Sequence, residues 1–335
     1  MKKLSVLYIT DEKYAPLVGV SVTSLFKNNP VSRISLTVYI LTTNMSTHNK
    51  TLFENLAKDY EQQICIINVG KELEKIEKLN ISKYRGSSIT NLRLCFDKFI
   101  PRQVQRLLYL DADTIVCGNI EELADFDMHG KMLGMVHDAY GKIIVDKDYK
   151  GDAYYNAGVI LFDCEKWRKE MWREQILRYI NDNGAQFTHP DQDLYNFLCK
   201  SEIICLPIRY NLQPVHSMYP DKVVYSNLGR LLYYSKEEIA EGRNNPAVLH
   251  MIRVFGRNPW HKKNSHPFND EYRRYKELSL WSRYPDEKKR IGLAFLIEIL
   301  LSKLLPDSVF FPISLMAMRI YIKLQYRMET YEKSK

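Results

Sequence analysis

The sequence predicts an α/β fold, with one domain on a mostly parallel central sheet and a helical tail at its C-terminal end. Three observations carry this. Apolar runs of strand length alternate with helix-length segments through the first hundred residues. The first two runs are rich in β-branched and apolar residues, as in strands buried on both faces. After Pro285-Asp286-Glu287 the alternation gives way to long aliphatic and basic stretches.

Leu4–Thr10 (LSVLYIT) and Ile34–Leu41 (ISLTVYIL) read as buried parallel strands. The first follows a basic Met1-Lys2-Lys3 but stops at Asp11-Glu12-Lys13, too soon for a signal peptide. Between the two strands Pro16–Lys27 reads as a helix, with Pro16 near its start and Asn28-Asn29-Pro30 ending it. Ser46–Tyr60 is a second helix with Leu52, Leu56 and Ala57 on one face, and Ile64–Val69 a third strand. Arg106–Leu110 is a fourth, running directly into Asp111. Tyr155–Phe162 is another, followed by a helix Glu165–Ile180 and one from Asp191 to Cys199. Residues 207–246, rich in Pro, Asn and Tyr, read as long connecting structure. Such alternation places ligands at the carboxyl ends of the strands.

Composition, with 45% hydrophobic and 26% charged residues, excludes wholesale disorder. Residues 1–250 carry 31 Lys/Arg against 31 Asp/Glu, so the net +8 arises wholly in residues 251–335, with 17 against 9. This asymmetry points to an anionic partner. The six cysteines show no CxxC pair and no metal-ligand spacing, which suits reduced thiols in a cytoplasmic protein. In the tail, Ile291–Leu305 is apolar nearly all round, yet as a helix it spans about 22 Å, short of the ~30 Å hydrocarbon core. Ile313–Met328 sets Arg319, Lys323 and Arg327 on one stripe and Ile313, Ala317, Ile320 and Leu324 on another. Residues 288–328 therefore read as lying in an anionic membrane surface, attached peripherally at the inner face of the cell membrane. The alternative is that these helices pack on the domain or form a homodimer contact. The large aliphatic surface argues against nucleic acid. The expected division is an α/β domain over 1–265 and a basic helical region over 266–335.

Arg106–Ile115 (RLLYLDADTI) delivers two carboxylates, Asp111 and Asp113, to the end of an apolar strand, with only Ala112 between. In extended backbone, residues i and i+2 face one side, so both can converge on one ion. Paired hard carboxylates suit Mg²⁺ or Mn²⁺, which can neutralise a diphosphate. A rival reading exists, because LLYLDADT is close to the phosphatase-type Asp-x-Asp of haloacid-dehalogenase domains, whose Asp is a nucleophile. That motif opens its domain, whereas about 100 residues precede it here.

Over residues 4–262 the motifs resemble, in order, family 8 of the retaining glycosyltransferases, which includes bacterial lipopolysaccharide galactosyl- and glucosyltransferases and glycogenin. The resemblance implies a Rossmann-like domain of the GT-A type that binds a nucleotide-sugar. ITDEKYAPLVGVSVTSL resembles the family's nucleotide loop, which implies that Asp11 and Tyr14 meet uracil and ribose, with Ile9, Thr10 and Lys13 beside them. A tyrosine ring offers a stacking face and a carboxylate accepts from uracil N3–H. ITNLRLCFDKFIP implies that Arg93 reaches the donor, and LLYLDADTIVCGNIEEL that Asp111, Ala112 and Asp113 hold metal and diphosphate. YYNAGVILFD places Asn156, Ala157 and Gly158 against the donor sugar, and GMVHDAY puts Asp138 near acceptor or donor sugar. HPDQDLYNF assigns Asp191 to sugar hydroxyls and Gln192 to the anomeric carbon, on the face away from the leaving group.

HMIRVFGRNPWHKK resembles the family's His-x-x-Gly-x-x-Lys-Pro-Trp signature, so His250 is expected to complete the metal site with Asp111 and Asp113. This sequence departs from the pattern twice. His250 and Gly256 stand three residues further apart than usual, and Asn258 occupies the place of the diphosphate-binding lysine. Arg257 is the adjacent cation, with Lys262 and Lys263 as substitutes.

The expected reaction is transfer of a hexose from UDP-galactose or UDP-glucose to a glycan or glycolipid with retention at the anomeric carbon. Mn²⁺ is the expected metal, with Mg²⁺ as alternative. Gln192, Asp191 and Asp138 are the catalytic candidates. Retention requires double displacement or front-face attack. No carboxylate nucleophile is obvious beyond Asp191, Asp193 and Asp138, which favours the front-face route. The altered His250–Trp260 segment also leaves open a non-catalytic membrane protein that binds nucleotide-sugars.

Overall fold

The computed structural model describes residues 1–335 apart from 80, 82–86, 145–152, 185, 186, 188, 230–232, 334 and 335, and side chains as far as Tyr321 apart from those of 142, 144 and 190. Seven strands form the main sheet: β1 (Lys2–Thr10), β2 (Ile34–Thr42), β3 (Gln63–Asn68), β4 (Arg106–Leu110), β6 (Leu133–His137), β7 (Tyr155–Asp163) and β8 (Ile203–Cys205). Their order is β3-β2-β1-β4-β7-β6-β8. Neighbours are parallel except that β7 runs antiparallel to β4 and β6, so the expected mostly parallel sheet is present. A separate antiparallel pair joins β5 (Thr114–Val116) to β9 (Val248–His250).

Successive strand residues point to opposite faces, and this builds two cores. Val6, Tyr8, Val38, Leu108 and Leu110 enter the first, beside the helix Ala15–Asn28. Leu7, Tyr39, Leu107 and Tyr109 enter the second, with Phe96, Trp167 and Tyr195. The first core also takes Phe268, Tyr272, Tyr275 and Trp281 from beyond residue 265. Trp281 donates to Asn49 Oδ1 at 2.7 Å, and its ring lies where a Cβ on Gly19 would come within 2.3 Å. The packed body thus includes the helix Asn269–Leu278 and a backbone tie from Lys262 to Glu287.

Three local expectations change. The helix expected over Glu165–Ile180 is two, Cys164–Lys169 and Trp172–Asn183, parted at Met171, whose φ of 55° is left-handed and cannot continue a helix. Residues 207–246 contain the helices Val215–Met218, Asp221–Leu228 and Lys236–Asn244. The last of these opens with a capping box, Ser235 with Glu238, a signal that was present in the sequence. The tail forms helices Leu293–Leu304 and Asp307–Lys333, the second starting earlier than expected.

Phe310, Phe311 and Leu315 are buried against Tyr219, Val223 and Leu228, with the Tyr219 and Phe311 rings 4.4 Å apart. The start of the last helix is therefore packed on the domain. The first tail helix is not covered in the same way, because Leu293, Leu296, Ile297, Leu300 and Leu304 are exposed, as are Met316 and Ile320 further on. Arg319 lies on the described part of the expected basic stripe, whereas the side chains of Lys323, Leu324 and Arg327 lie outside it. Among the described residues, no helix is long and apolar enough to cross a membrane.

Candidate metal and donor site

β4 ends in Asp111, and the chain turns at once: Thr114 donates to Asp111 O through both its backbone N–H (3.2 Å) and its hydroxyl (2.8 Å). The turn carries Asp113 into β5. Pairing of β5 with β9 sets Thr114 opposite His250, and Met251 N–H donates to Asp113 O at 2.7 Å. A residue 137 positions away is thereby brought to the acidic pair. His250 Nε2 lies 3.3 Å from Asp113 Oδ1 and 3.9 Å from Asp111 Oδ2. All three ligand atoms fall within 4.8 Å of one another.

The donor set fits a divalent ion. Two carboxylate oxygens and an imidazole at these spacings can share one octahedral centre, and the mixed O/N set suits Mn²⁺ better than Ca²⁺. Asp111 offers only Oδ2. Its Oδ1 accepts from Tyr109 Oη at 2.5 Å and from Arg93 at 3.1 Å. His250 is packed tightly, because a Cβ on Gly158 would meet its Cε1 at 2.1 Å. Burial draws the His250 pKa down, but the charge and hydrogen bond of Asp113 and the charge of Asp111 outweigh it, so the net shift is upward.

Arg93 connects this cluster to a second one. Its guanidinium lies over the Tyr109 ring at 4.3 Å, donates to Ala157 O at 2.6 Å, and forms a close ion pair with Asp191 Oδ2 at 2.5 Å. The side chain is 4% exposed, so it is a buried bridge between Asp111 and Asp191. Burial raises the Asp191 pKa and Arg93 opposes this without cancelling it. Beside it Gln192 is fixed at both ends: Oε1 accepts from Ala157 N–H at 2.9 Å, while Nε2 donates to Tyr154 Oη at 3.2 Å and Asp138 Oδ2 at 3.4 Å. Asn156 donates to the same Asp138 oxygen at 2.9 Å. Asp193 accepts from Tyr154 Oη.

The sequence-predicted residues thus fall into three places. Asp111, Asp113 and His250 converge, and Arg93 ties them to Asp138, Asn156, Ala157, Gly158, Asp191 and Gln192. Asp11 and Tyr14 lie at the neighbouring strand end. β1 and β4 are parallel with Leu7 opposite Tyr109, so the loops that follow them open side by side. There Asp11 Oδ1 caps Tyr14 N–H at 3.0 Å, Thr10 Oγ1 donates to Asp11 O at 3.1 Å, and Lys13 lies over the half-exposed Tyr14 ring at 5.7 Å. Ile9 and Ala112 contribute apolar packing beneath.

Gly256 and Arg257 occupy the third place. Val254 and Arg257 close a hairpin whose tip, Phe255 and Gly256, has positive φ at both residues (46° and 75°). Its tip docks on the tail, with Gly256 against Phe295 and Ile291 and the Phe255 ring 6.1 Å from Phe310. Arg257 donates to Lys263 O at 2.9 Å. Asn258, in the expected lysine's place, is buried, and its amide donates to Met251 O at 2.7 Å.

Sequence reading did not single out Tyr109, Tyr154 or Asn211. Tyr109 sits inside an apolar strand and reads as core, and Asn211 lies in the segment read as connecting structure. Asn211 Oδ1 lies 3.0 Å from His250 Nδ1, a contact between positions 39 apart that no local pattern announces.

The model of the family described as glycosyl transferase family 8 matches residues 5–264. The chain is 29% identical over 286 residues to the lipopolysaccharide 1,2-glucosyltransferase of Escherichia coli K12, covering 83% of this chain and 79% of that protein. It is 24% identical to the lipopolysaccharide 1,3-galactosyltransferase of Salmonella typhimurium, covering 84% and 80%. It spans 64% of a putative glycosyltransferase of Haemophilus influenzae, 26% identical over 63% of this chain. In structure it is similar to the galactosyltransferase LgtC solved with donor and acceptor sugar analogues. That likeness has a TM-score of 0.65 at 21% identity, over 88% of this chain and 99% of that one.

Proposed function

The chain belongs to glycosyl transferase family 8, and from that premise we propose that it is a metal-dependent retaining transferase. In this reading it moves galactose or glucose from a UDP-sugar to a glycan or glycolipid acceptor in cell-surface polysaccharide or lipopolysaccharide synthesis. The observation that carries the reading is the Asp111–Asp113–His250 cluster, bridged by Arg93 to Asp191 and Gln192. The family membership leaves no support for the phosphatase-type alternative.

Asp111, Asp113 and His250 would hold Mn²⁺, or Mg²⁺, which when bound supplies charge stabilisation for a departing diphosphate. Asp11 and Tyr14 would take the uridine. With Asn258 buried, Arg257 would meet the diphosphate, with Lys262 and Lys263 as substitutes. Asp138, Asn156 and Asp191 would bind sugar hydroxyls. Gln192, its amide fixed at both ends, would face the anomeric carbon as a dipole.

The carboxylates near the sugar are all engaged: Asp191 by Arg93, Asp193 by Tyr154, and Asp138 by Asn156 and the Tyr140 N–H. This favours front-face attack. The acceptor oxygen bonds to the anomeric carbon as the bond to the diphosphate oxygen breaks, and the hydroxyl proton passes to that departing oxygen.

The uncovered aliphatic residues of 293–304, next to the basic Lys288-Lys289-Arg290, support attachment to an anionic membrane surface at its inner, cytoplasmic face. Sedimentation with anionic vesicles, with and without residues 288–335, tests that part. The activity is tested by UDP release from a panel of UDP-sugars with Mn²⁺. One hexose donor should stand out, and Asp111→Ala and Asp113→Ala should each abolish metal-dependent release. Persistence in either variant removes the assignment.

A further inference from the structure

Asn156, Asn211 and His250 form one hydrogen-bonded line whose polarity can be read without ambiguity. The Asn156 side chain meets two partners of fixed character. Its oxygen accepts from Gly158 N–H at 2.9 Å, and a backbone N–H can only donate. Its amide nitrogen donates to Asp138 Oδ2 at 2.9 Å, and a carboxylate can only accept. The Asn211 atom 2.9 Å from Asn156 Oδ1 must therefore be its NH₂, which turns its own oxygen toward His250 Nδ1 at 3.0 Å. An amide oxygen requires a proton on Nδ1. That leaves Nε2 to face Asp113 and Asp111.

We infer that Asn211 is a positioning residue that fixes the orientation and tautomer of His250, so that its Nε2 lone pair is presented to a divalent cation. This rests on the metal site proposed above. Asn211 is wholly buried, and among the described residues its side chain bonds to Asn156 and His250, both of which belong to the site. Ligating histidines held through their other ring nitrogen typically lose about 10–100-fold in metal affinity when that partner is removed. The line also joins the metal ligand to Asp138, so the sugar-side carboxylate and the metal-side imidazole share one set of hydrogen bonds.

The test is calorimetric titration of Mn²⁺ alone into the full chain, the Asn211→Leu variant and the Asn211→Asp variant. Leucine keeps the branched heavy-atom outline, though with more bulk, and removes the acceptor, so a loss of about 10–100-fold is expected. Aspartate restores an acceptor for Nδ1–H and should recover part of the affinity. Parent-like binding by Asn211→Leu overturns the inference and leaves the metal site standing. Failure of the parent chain to bind Mn²⁺, or binding untouched by Asp113→Asn, overturns the site itself. A second measurement needs no variant to fold: nitrogen NMR of the Mg²⁺-loaded parent should show His250 carrying its proton on Nδ1, and a proton on Nε2 refutes the inference.

Discussion

Substituting Gly158 by alanine adds one methyl group at the end of β7. That methyl would stand 2.1 Å from His250 Cε1 and 2.6 Å from Nδ1, where carbon atoms in contact stay about 3.5 Å or more apart. The ring must therefore move by roughly 1.4 Å. Gly158 itself cannot retreat easily, because its N–H is bonded to Asn156 Oδ1 and its carbonyl accepts from Asp111 N–H at 2.8 Å. Metal–ligand distances tolerate about 0.2 Å, so such a displacement takes Nε2 out of coordinating range. The expected loss in Mn²⁺ affinity is at least that of removing a ligand's support, about 10–100-fold. Overpacking should cost about 1–3 kcal/mol of stability as well. A double-mutant cycle separates the two: in a His250→Ala background the methyl has room, and the stability cost of Gly158→Ala should vanish. Calorimetric Mn²⁺ titration and thermal unfolding supply both readouts. Parent-like metal affinity in Gly158→Ala, or a stability cost indifferent to His250, would refute the packing argument.

Arg93→Met should lower stability by about 3–5 kcal/mol, because it leaves Asp111 and Asp191 uncompensated in a buried site; a change in Tm of less than a few degrees would speak against the bridge. The deficit should deepen as pH rises from acid toward neutrality, since without Arg93 the already raised Asp191 holds its proton further up the scale. Burial holds His216 and His266 at a pKa of about 4, against ~6.5 when unfolded. The unfolded chain then binds more protons between those values, so Tm should fall as pH drops from 6.5 to 4, and His266→Asn should flatten the fall. Met171, exposed and at a φ of 55°, should accept glycine with a gain of about 1 kcal/mol in a urea titration, and a loss there would mean the side chain contributes packing the geometry does not show.

Much of this architecture was legible in the residues because the relevant signals are local. β-branched-rich runs marked β1 and β2 nearly to the residue, and the short apolar run that forms β4, ending in Asp111-Ala112-Asp113, announced a carboxylate pair. His250 was legible as a ligand only through its motif. What physically delivers it is the β5–β9 pairing, two three-residue strands too short to be read from periodicity. Arg93 was expected at the donor, and its buried ion pairs with Asp111 and Asp191 follow from the 3₁₀-helical backbone at Ile89–Lys98 that no propensity predicts. The aromatic packing of Tyr272, Tyr275 and Trp281 into the first core was hidden by their polar neighbours. The tail divides in two: Phe310 and Phe311 are buried on the domain, while the leucines of 293–304 stay uncovered, a split that composition cannot make.

The most direct measurement is a crystal of the full chain soaked with Mn²⁺ and UDP, with anomalous scattering used to locate the ion. The account predicts one peak within bonding distance of Asp111 Oδ2, Asp113 Oδ1 and His250 Nε2, between the ~2.1 Å typical of Mg²⁺ and the ~2.4 Å of Ca²⁺. A peak elsewhere, or UDP bound in the cleft with no ion at these three atoms, would contradict it.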